Sequence, residues 1–238
     1  MSYTYTICSL AVGKNYSDIL IDTFKKIQSI TSTPQLLVVA DSSFPPQERV
    51  TIIDCDLYPI RTQDERFFNY NLKFAPIKHS ISLQTDYIVF IDADWSVNTG
   101  FSDEKFYNLF THMEKCNIDF AFERPHQIGA SKRELHNCFW RHKIEPFGLD
   151  KTEKYDLAHV CNEQCLVFKN NKKLDVFVAH WEQLFNRVYE ESIWPCAEGV
   201  EIGMAATEAE MNGDWSALNY LQNCFSFCSY NGTYYERF

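Results

Sequence analysis

The 238-residue chain has no stretch of biased composition, no apolar run longer than a single strand and no excess of positive charge. Its formal net charge is −10, and its 22 lysine and arginine residues are scattered rather than gathered into a basic stripe. This distribution argues against binding to the phosphate backbone of nucleic acid. The short apolar runs predict no transmembrane segment, and the first residues lack the basic and apolar regions of a signal peptide.

Several motifs built on cysteine, histidine or glycine are also missing. The spacings Cys161 to Cys165 and Cys224 to Cys228 do not fit a closed zinc site, and the seven histidines form no zinc-protease pair. No glycine-rich phosphate loop follows the first predicted strand, which argues against a sugar nucleotidyltransferase. An odd count of nine cysteines without an export signal predicts unpaired thiols in a reducing compartment, so we expect a soluble, cytoplasmic protein.

The apolar fraction of 45% and the aromatic fraction of 16% are sufficient for one large ordered domain. β-Branched and apolar segments alternate with helical patterns in the first half of the chain. The predicted strands are residues 3–12, 36–40, 50–54, 87–91 and 118–122. Because parallel neighbours need helical crossovers, this alternation predicts a mainly parallel, Rossmann-like α/β sheet flanked by helices. We expect the first four strands in the spatial order 3-2-1-4.

The second half of the chain is less regular. Residues 125–156 are basic and irregular, which indicates a long functional loop. A strand is predicted for residues 161–168, and helices are predicted for residues 174–189 and 198–211. Nothing in this half suggests an internal repeat or a second domain.

Two acidic triplets compete for the role of metal site. Asp92-Ala93-Asp94 follows the fourth strand, and Asp54-Cys55-Asp56 follows the third. Ligands of open α/β sheets bind beyond the carboxyl ends of the strands, where the strand order reverses beside the first strand. This rule favours Asp92 and Asp94, whose mutual repulsion a cation would relieve, and oxygen ligands suit Mg²⁺ or Mn²⁺. The other triplet is interpreted as solvated loop acids.

Three segments carry a resemblance to a known family. Residues 87–94 (YIVFIDAD) resemble the metal-binding segment of GT-A glycosyltransferases. Residues 10–16 (LAVGKNY) are similar to the nucleobase-contacting first loop of the blood-group-type α-galactosyl and N-acetylgalactosaminyl transferases, and residues 122–125 (FERP) resemble a later segment of that family. The resemblance implies a GT-A fold and metal-dependent transfer of a sugar from a nucleoside diphosphate, expected to be UDP, to a hydroxyl of a glycan or other acceptor.

The resemblance also implies roles for individual residues. Asp94 and Asp92 would hold the metal, and about residues 1–124 would bind the nucleotide while about residues 125–238 bind the acceptor. The nucleotide contacts expected from the family are Ala11, Val12, Tyr16 and Ala93. Asp41 ends the second strand, where an acid can accept hydrogen bonds from ribose or base. Lys73 and Arg66 precede the metal strand and are candidates for holding phosphate.

The acceptor hydroxyl needs a base, or the transferring sugar needs a group that stabilises its positive charge, and carboxylates perform both tasks. Glu163, at the start of a predicted strand, and Glu201, in the first turn of a later helix, are the candidates. Trp95 and Trp194 are candidates for sugar stacking beside the cleft. Trp181 has the helical spacing of a core residue.

Two other functions remain open from the sequence. An apolar strand that runs into Asp-x-Asp also resembles the nucleophile strand of haloacid-dehalogenase-type phosphohydrolases, in which Asp92 would attack phosphate and Asp94 would act as acid and base. The alternative outside enzymes is a GT-A-like module that binds carbohydrate or nucleotide without turnover.

Overall fold

The computed structural model describes residues 3–58, 72–128, 148, 152–191, 198–228 and 234–236. Ten strands lie in these ranges: β1 (Tyr5–Ala11), β2 (Gln35–Ala40), β3 (Val50–Asp54), β4 (Tyr87–Ile91), β5 (Trp95–Val97), β6 (Phe120–Gln127), β7 (His159–Lys169), β8 (Gly213–Asp214), β9 (Phe225–Cys228) and β10 (Tyr234–Glu236). The α-helices are α1 (Lys14–Ile30), α2 (Phe74–Ile81), α3 (Asp103–Lys115), α4 (Lys172–Glu191) and α5 (Glu198–Glu208). Short 3₁₀-helices span Cys55–Leu57 and Ser216–Leu221.

Seven strands form the main sheet in the order β3-β2-β1-β4-β7-β6-β8. The predicted order of the first four strands and their parallel pairing are confirmed. Strand β7 is inserted between β4 and β6 and runs antiparallel to both. A second sheet, in the order β10-β9-β5, branches from the segment that follows β4. The fold is therefore the mainly parallel α/β architecture expected from the sequence.

Side chains of the central strands alternate between two apolar clusters, one on each face of the sheet. On one face, residues such as Val38 and Val89 share a cluster with buried residues of α1 and α3. On the other face, Val39 and Ile88 share a cluster with buried residues of α2, α4 and α5. Burial of both faces explains why these strands are continuous apolar runs rather than alternating polar and apolar residues.

The strand and the two helices predicted for the second half lie close to β7, α4 and α5, whereas β6 differs from its prediction and β8, β9 and β10 were not predicted. The strand predicted for residues 118–122 begins at Phe120 and continues to Gln127, into the region expected to be a loop. Its pairing with β7 shifts register on both sides of Glu123. Such bulges tolerate a residue without an N–H group, which explains how the strand runs through Pro125. No described helix is both long and apolar enough to cross a membrane.

Candidate functional site

The carboxyl ends of the first four strands meet along one edge of the sheet. Ala11 at the end of β1 pairs with Ala40 at the end of β2, and Ala40 pairs with Asp54 at the end of β3. Strand β4 lies on the other side of β1 and ends at Ile91, whose carbonyl accepts a hydrogen bond of 2.7 Å from the Ser9 hydroxyl of β1. The segments that leave this edge are those predicted to bind the nucleotide and the metal.

The Asp92-Ala93-Asp94 segment is a short connection between β4 and β5, held by the backbone on both sides. The N–H of Asp92 donates to the carbonyl of Gln164 on β7 at 2.9 Å, and the N–H of Trp95 donates to the carbonyl of Asp92 at 3.1 Å. Both aspartates are half-buried, whereas Ala93 between them is buried. Two carboxylates are thus fixed beside β1 at the edge where open α/β sheets bind their ligands.

Lys73 forms an ion pair with the first of these aspartates. Its Nζ lies 2.8 Å from Oδ1 of Asp92, and the side chains of Lys73 and Asp92 are 5% and 17% exposed. Lys73 immediately precedes α2, and its ammonium group lies 5.9 Å from the centre of the Phe90 ring. The lysine predicted to hold phosphate therefore contacts Asp92, one of the two acids predicted to hold the metal.

The loop between β1 and α1 lies next to the acidic segment. Ala11 is fully buried, whereas Val12 and Tyr16 are half-buried, with Tyr16 in the first turn of α1. Gly13 joins strand to helix with a φ of 93°, in a backbone region that favours glycine. The structure thus brings the predicted base-contacting residues to the same edge as Asp92 and Asp94.

Asp41 ties this loop to the end of β2. Its Oδ2 accepts a hydrogen bond of 2.8 Å from the N–H of Gly13, and its Oδ1 accepts hydrogen bonds from the N–H and the hydroxyl of Ser43. Both carboxylate oxygens therefore have protein donors in this structure. The predicted contact with ribose or base would have to share these oxygens.

The rival triplet also brings metal-ligand atoms together. In the described part of the chain, Asp54, Cys55 and Asp56 form a group whose ligand atoms all lie within 4.8 Å of one another. A local structural role accounts for this arrangement: Oδ1 of Asp54 accepts a hydrogen bond of 2.9 Å from the N–H of Asp56 and caps the 3₁₀-helix. Burial, followed by the nearby acids, raises the pKa of the Cys55 thiol to about 11, so the thiol stays protonated at neutral pH.

The donor chemistry of Asp92 and Asp94 fits a hard divalent cation. Both offer oxygen ligands, which Mg²⁺ and Mn²⁺ prefer. A pair of carboxylates on one short segment leaves other coordination positions for diphosphate oxygens, whereas the third ligand of the rival group is a protonated thiol. The ligand chemistry therefore favours Asp92 and Asp94 over the Asp54-Cys55-Asp56 group as a site for a divalent cation.

The two predicted catalytic glutamates lie in different surroundings. Glu201, in the first turn of α5, is fully buried, and its Oε2 accepts a hydrogen bond of 3.0 Å from the indole Nε1 of Trp181 on α4. Glu163 lies on β7, next to Gln164, whose carbonyl binds the N–H of Asp92. The side chain of Glu163 and the whole of Arg66 lie outside the described part of the chain.

Three tryptophans were assigned places from the sequence: Trp95, Trp181 and Trp194. Trp181 is buried, as its helical spacing predicts. The expectation that Trp95 lines the cleft is wrong, because this side chain is fully buried and packs against Phe225 with ring centres 5.5 Å apart. Trp95 lies on β5, which pairs with β9, the strand that carries Phe225. Trp194 lies outside the described residues.

The insertion of β7 adds residues that sequence reasoning missed. Glu123 on β6 pairs with Asn162 on β7, two residues before Gln164, and its side chain is half-buried. Burial raises the pKa of the Cys165 thiol well above its usual range, and the negative charges of Glu123 and Asp92 raise it further. Both carboxylates therefore lie near the same buried thiol. The resemblance of residues 122–125 was the one sequence signal for this region.

No protein-family profile and no curated protein matches the sequence. Solved structures of glycosyltransferases do match the fold. The mannosyltransferase Ktr4p from S. cerevisiae matches with a TM-score of 0.53 and 11% identity, over 94% of this chain and 70% of that one. Mouse xyloside xylosyltransferase 1 in its apo form matches with a TM-score of 0.52 and 9% identity, over 98% of this chain and 100% of that one. The chain therefore has the GT-A fold, as the resemblance of residues 87–94 implied.

Proposed function

We propose that this protein is a metal-dependent glycosyltransferase that moves a sugar, expected to be a hexose, from a nucleoside diphosphate to a hydroxyl group. The observation that carries the proposal is the position of Asp92 and Asp94, fixed between β4 and β5 beside the β1–α1 loop of a GT-A fold. The similarity of the fold to a mannosyltransferase and a xylosyltransferase supports it.

The donor side of the reaction is assigned to the carboxyl edge of the first four strands. Mn²⁺ or Mg²⁺ bound to Asp92 and Asp94 would act as a Lewis acid that neutralises the charge of the departing diphosphate. Lys73 orients the Asp92 carboxylate and adds a positive charge beside the phosphate position. In this proposal, Val12 and Tyr16 hold the base, which we expect to be uracil, because residues 10–16 resemble the blood-group-type loop.

Three further residues are assigned to the donor site: Ala11, Ala93 and Asp41. Ala11 and Ala93 are small and buried, so the backbone of both segments can approach the nucleotide closely. Asp41 keeps the β1–α1 loop in place through Gly13 and would reach the ribose from the same position. The donor is thus bound mainly by one half of the chain, about residues 1–124.

The acceptor is assigned to the other half, about residues 125–238, and its hydroxyl is activated by a carboxylate. Glu163 is adjacent in β7 to Gln164, whose carbonyl accepts a hydrogen bond from the N–H of Asp92. This position is suitable for contact with the reacting sugar. Glu201 is buried against Trp181, so its participation would require that the carboxylate be reached from the cleft. Direct attack by an acceptor hydroxyl that a carboxylate base activates would invert the anomeric configuration, whereas retention would need a carboxylate that stabilises the positively charged sugar or forms an intermediate with it.

The phosphohydrolase alternative is not favoured by the fold. In haloacid-dehalogenase-type enzymes the strand that carries the nucleophilic aspartate normally comes first, whereas β4 is the fourth strand in the chain. The module without turnover shares the fold and the acidic segment, so only activity separates it from the enzyme.

A thermal-shift experiment tests the proposal directly. UDP-galactose, UDP-glucose and UDP-N-acetylglucosamine are each added with and without Mn²⁺. A ligand at 100 times its dissociation constant should raise the melting temperature by roughly 5–10 °C for a chain of this size. A shift that requires both nucleotide sugar and Mn²⁺ supports the proposal, and no shift with any of the three sugars counts against it.

Hydrolysis of the sugar that gives a shift separates an enzyme from a binding module. Slow Mn²⁺-dependent release of UDP without added acceptor is the expected result, because water can replace the acceptor hydroxyl. Binding without any release of UDP would indicate the module instead.

A further inference from the structure

A cysteine, a histidine and an aspartate come together far from the proposed site, at the margin of the sheet formed by β8. This strand is three positions away from β4 in the sheet. Cys116 follows the last residue of α3, and its Sγ lies 3.7 Å from Nδ1 of His112, one helical turn earlier. On the other side of the imidazole ring, Nε2 lies 3.7 Å from Oδ2 of Asp214.

The aspartate is held in the orientation that this contact requires. Its other oxygen, Oδ1, accepts hydrogen bonds of 2.8 Å from both the N–H and the hydroxyl of Ser216. The imidazole is also supported by the ring of Tyr220, whose centre lies 5.1 Å away. The imidazole ring thus lies between a thiol and a carboxylate, in contact with both, and a neighbouring base of this kind can activate a thiol.

Exposure distinguishes Cys116 from the other cysteines whose side chains the structure describes. Cys116 is exposed, whereas Cys8, Cys55, Cys161, Cys165 and Cys224 are buried. Burial raises the pKa of the Cys8 thiol to about 12 and that of the Cys224 thiol to about 11. Because the thiolate is the nucleophile, these buried thiols react slowly.

We propose that Cys116 is a reactive thiol and a site of reversible modification by disulfides of small thiols. The imidazole of His112 takes the thiol proton, and the carboxylate of Asp214 stabilises the resulting imidazolium. The Cys116 thiolate then attacks one sulfur of the disulfide. A new S–S bond forms at Cys116 while the old S–S bond breaks, and the departing small thiolate takes up a proton from water or from His112.

The reaction conserves electrons, since one disulfide is exchanged for another, and excess small thiol reverses it. The groups that face His112 are Cys116 from its own helix, Asp214 from β8 and Tyr220 from the 3₁₀-helix.

The experiment follows the reaction of the folded protein with the aromatic disulfide 5,5′-dithiobis(2-nitrobenzoate). The release of 2-nitro-5-thiobenzoate should show a fast phase that disappears in Cys116→Ser. In His112→Gln that phase should be about three- to tenfold slower at about pH 7. His180→Gln is the matched control and should react like the wild type.

Two results would overturn the inference. A fast phase that survives in Cys116→Ser would place the reactive thiol elsewhere. Equal rates for His112→Gln and the wild type would show that Cys116 is merely exposed. The melting temperature of each variant, measured alongside, identifies any rate change that comes from unfolding.

Discussion

Lys73 and Asp92 form the charged contact that fixes the end of β4 in the proposed metal site. The ammonium and carboxylate groups are 2.8 Å apart and largely shielded from solvent. Shielded charges are costly to desolvate, so the loss of one partner of such a pair is destabilising. Removal of the lysine would take a positive charge away from the Asp92 carboxylate.

We therefore expect Lys73→Met to lower the free energy of unfolding by about 2–4 kcal/mol. Denaturation by urea at neutral pH measures the change. Lys78→Met is the matched control, because Lys78 also forms an ion pair, 2.7 Å from Glu182, but with side chains that are 43% and 30% exposed. Its loss should stay below about 1 kcal/mol. Similar losses in the two variants would contradict the assignment of a shielded, structurally important pair.

At the scale of single residues, the position of the acidic segment could be predicted from the sequence, but its contacts could not. The apolar strand placed Asp92 and Asp94 at the correct edge of the sheet, because strand ends can be read from local pattern. The partner of Asp92 could not be read in this way, since the approach of Lys73 depends on how α2 packs on the sheet. The same holds for Asp41, whose hydrogen bond to Gly13 joins residues 28 positions apart.

At the scale of elements, α5 packs directly on the backbone of β7 through two glycines. A Cβ atom added to Gly199 would lie 2.2 Å from the carbonyl oxygen of Cys161, and one added to Gly203 would lie 2.0 Å from that of His159. Backbone atoms of a central strand cannot move aside easily. This close approach accompanies the contact between Glu201 and Trp181.

Gly203→Ala should therefore destabilise the protein by about 1–3 kcal/mol through overpacking, although alanine is the better helix former. Thermal or urea unfolding is the measurement. Thr207→Ala, one turn later in α5, is the control and should change stability by no more than about 0.5 kcal/mol. A neutral or stabilising effect of Gly203→Ala would show that α5 lies further from β7 than described.

The carboxylate of Asp119 makes a second set of contacts between elements, and we expect its contribution to stability to depend on pH. Asp119, just before β6, accepts hydrogen bonds from the N–H of Asn212 at 2.9 Å, from Nζ of Lys173 at 2.8 Å and from Nδ2 of Asn171 at 3.1 Å. Burial alone would raise the pKa of Asp119, but these donors lower it below its ordinary value of 3.8. The carboxylate thus joins the start of β6 to the start of α4 and to the segment before β8.

A lowered pKa stabilises the folded state above the unfolded-state value, and this contribution is lost as the pH falls through the folded-state pKa. Asp119→Asn should therefore reduce the free energy of unfolding by about 1–3 kcal/mol at neutral pH. The difference from the wild type should shrink below about pH 4. Urea unfolding over a pH series measures both. A difference that is constant with pH would contradict an ionised role for Asp119.

The order of the first four strands was predictable because it is a common order in open α/β sheets. The parallel strands β1 to β4 follow from the alternation of strand and helix patterns. The insertion of β7 between β4 and β6 was not predictable, because its antiparallel pairing joins Ile91 to Cys165 across a long stretch of chain. This pairing places the carbonyl of Gln164 within hydrogen-bonding distance of the N–H of Asp92.

At the scale of the whole molecule, similarity to solved structures establishes the fold, whereas the reaction is a proposal from individual residues. The GT-A fold is shared with glycosyltransferases at 9% and 11% identity. The donor sugar, the acceptor and the catalytic carboxylate depend on pocket residues, which vary while a fold persists. The proposed division into a donor half and an acceptor half concerns function, since the main sheet contains strands from both halves.

The central claim is that Asp92 and Asp94, not Asp54 and Asp56, hold the metal that binds the nucleotide diphosphate. Calorimetric titration of UDP in the presence of Mn²⁺ tests it in two matched variants, Asp94→Asn and Asp56→Asn, with melting temperature as the control for folding. The account predicts that Asp94→Asn loses Mn²⁺-dependent binding and keeps its fold, while Asp56→Asn binds like the wild type. Equal loss in both variants, or loss in Asp56→Asn alone, would contradict it.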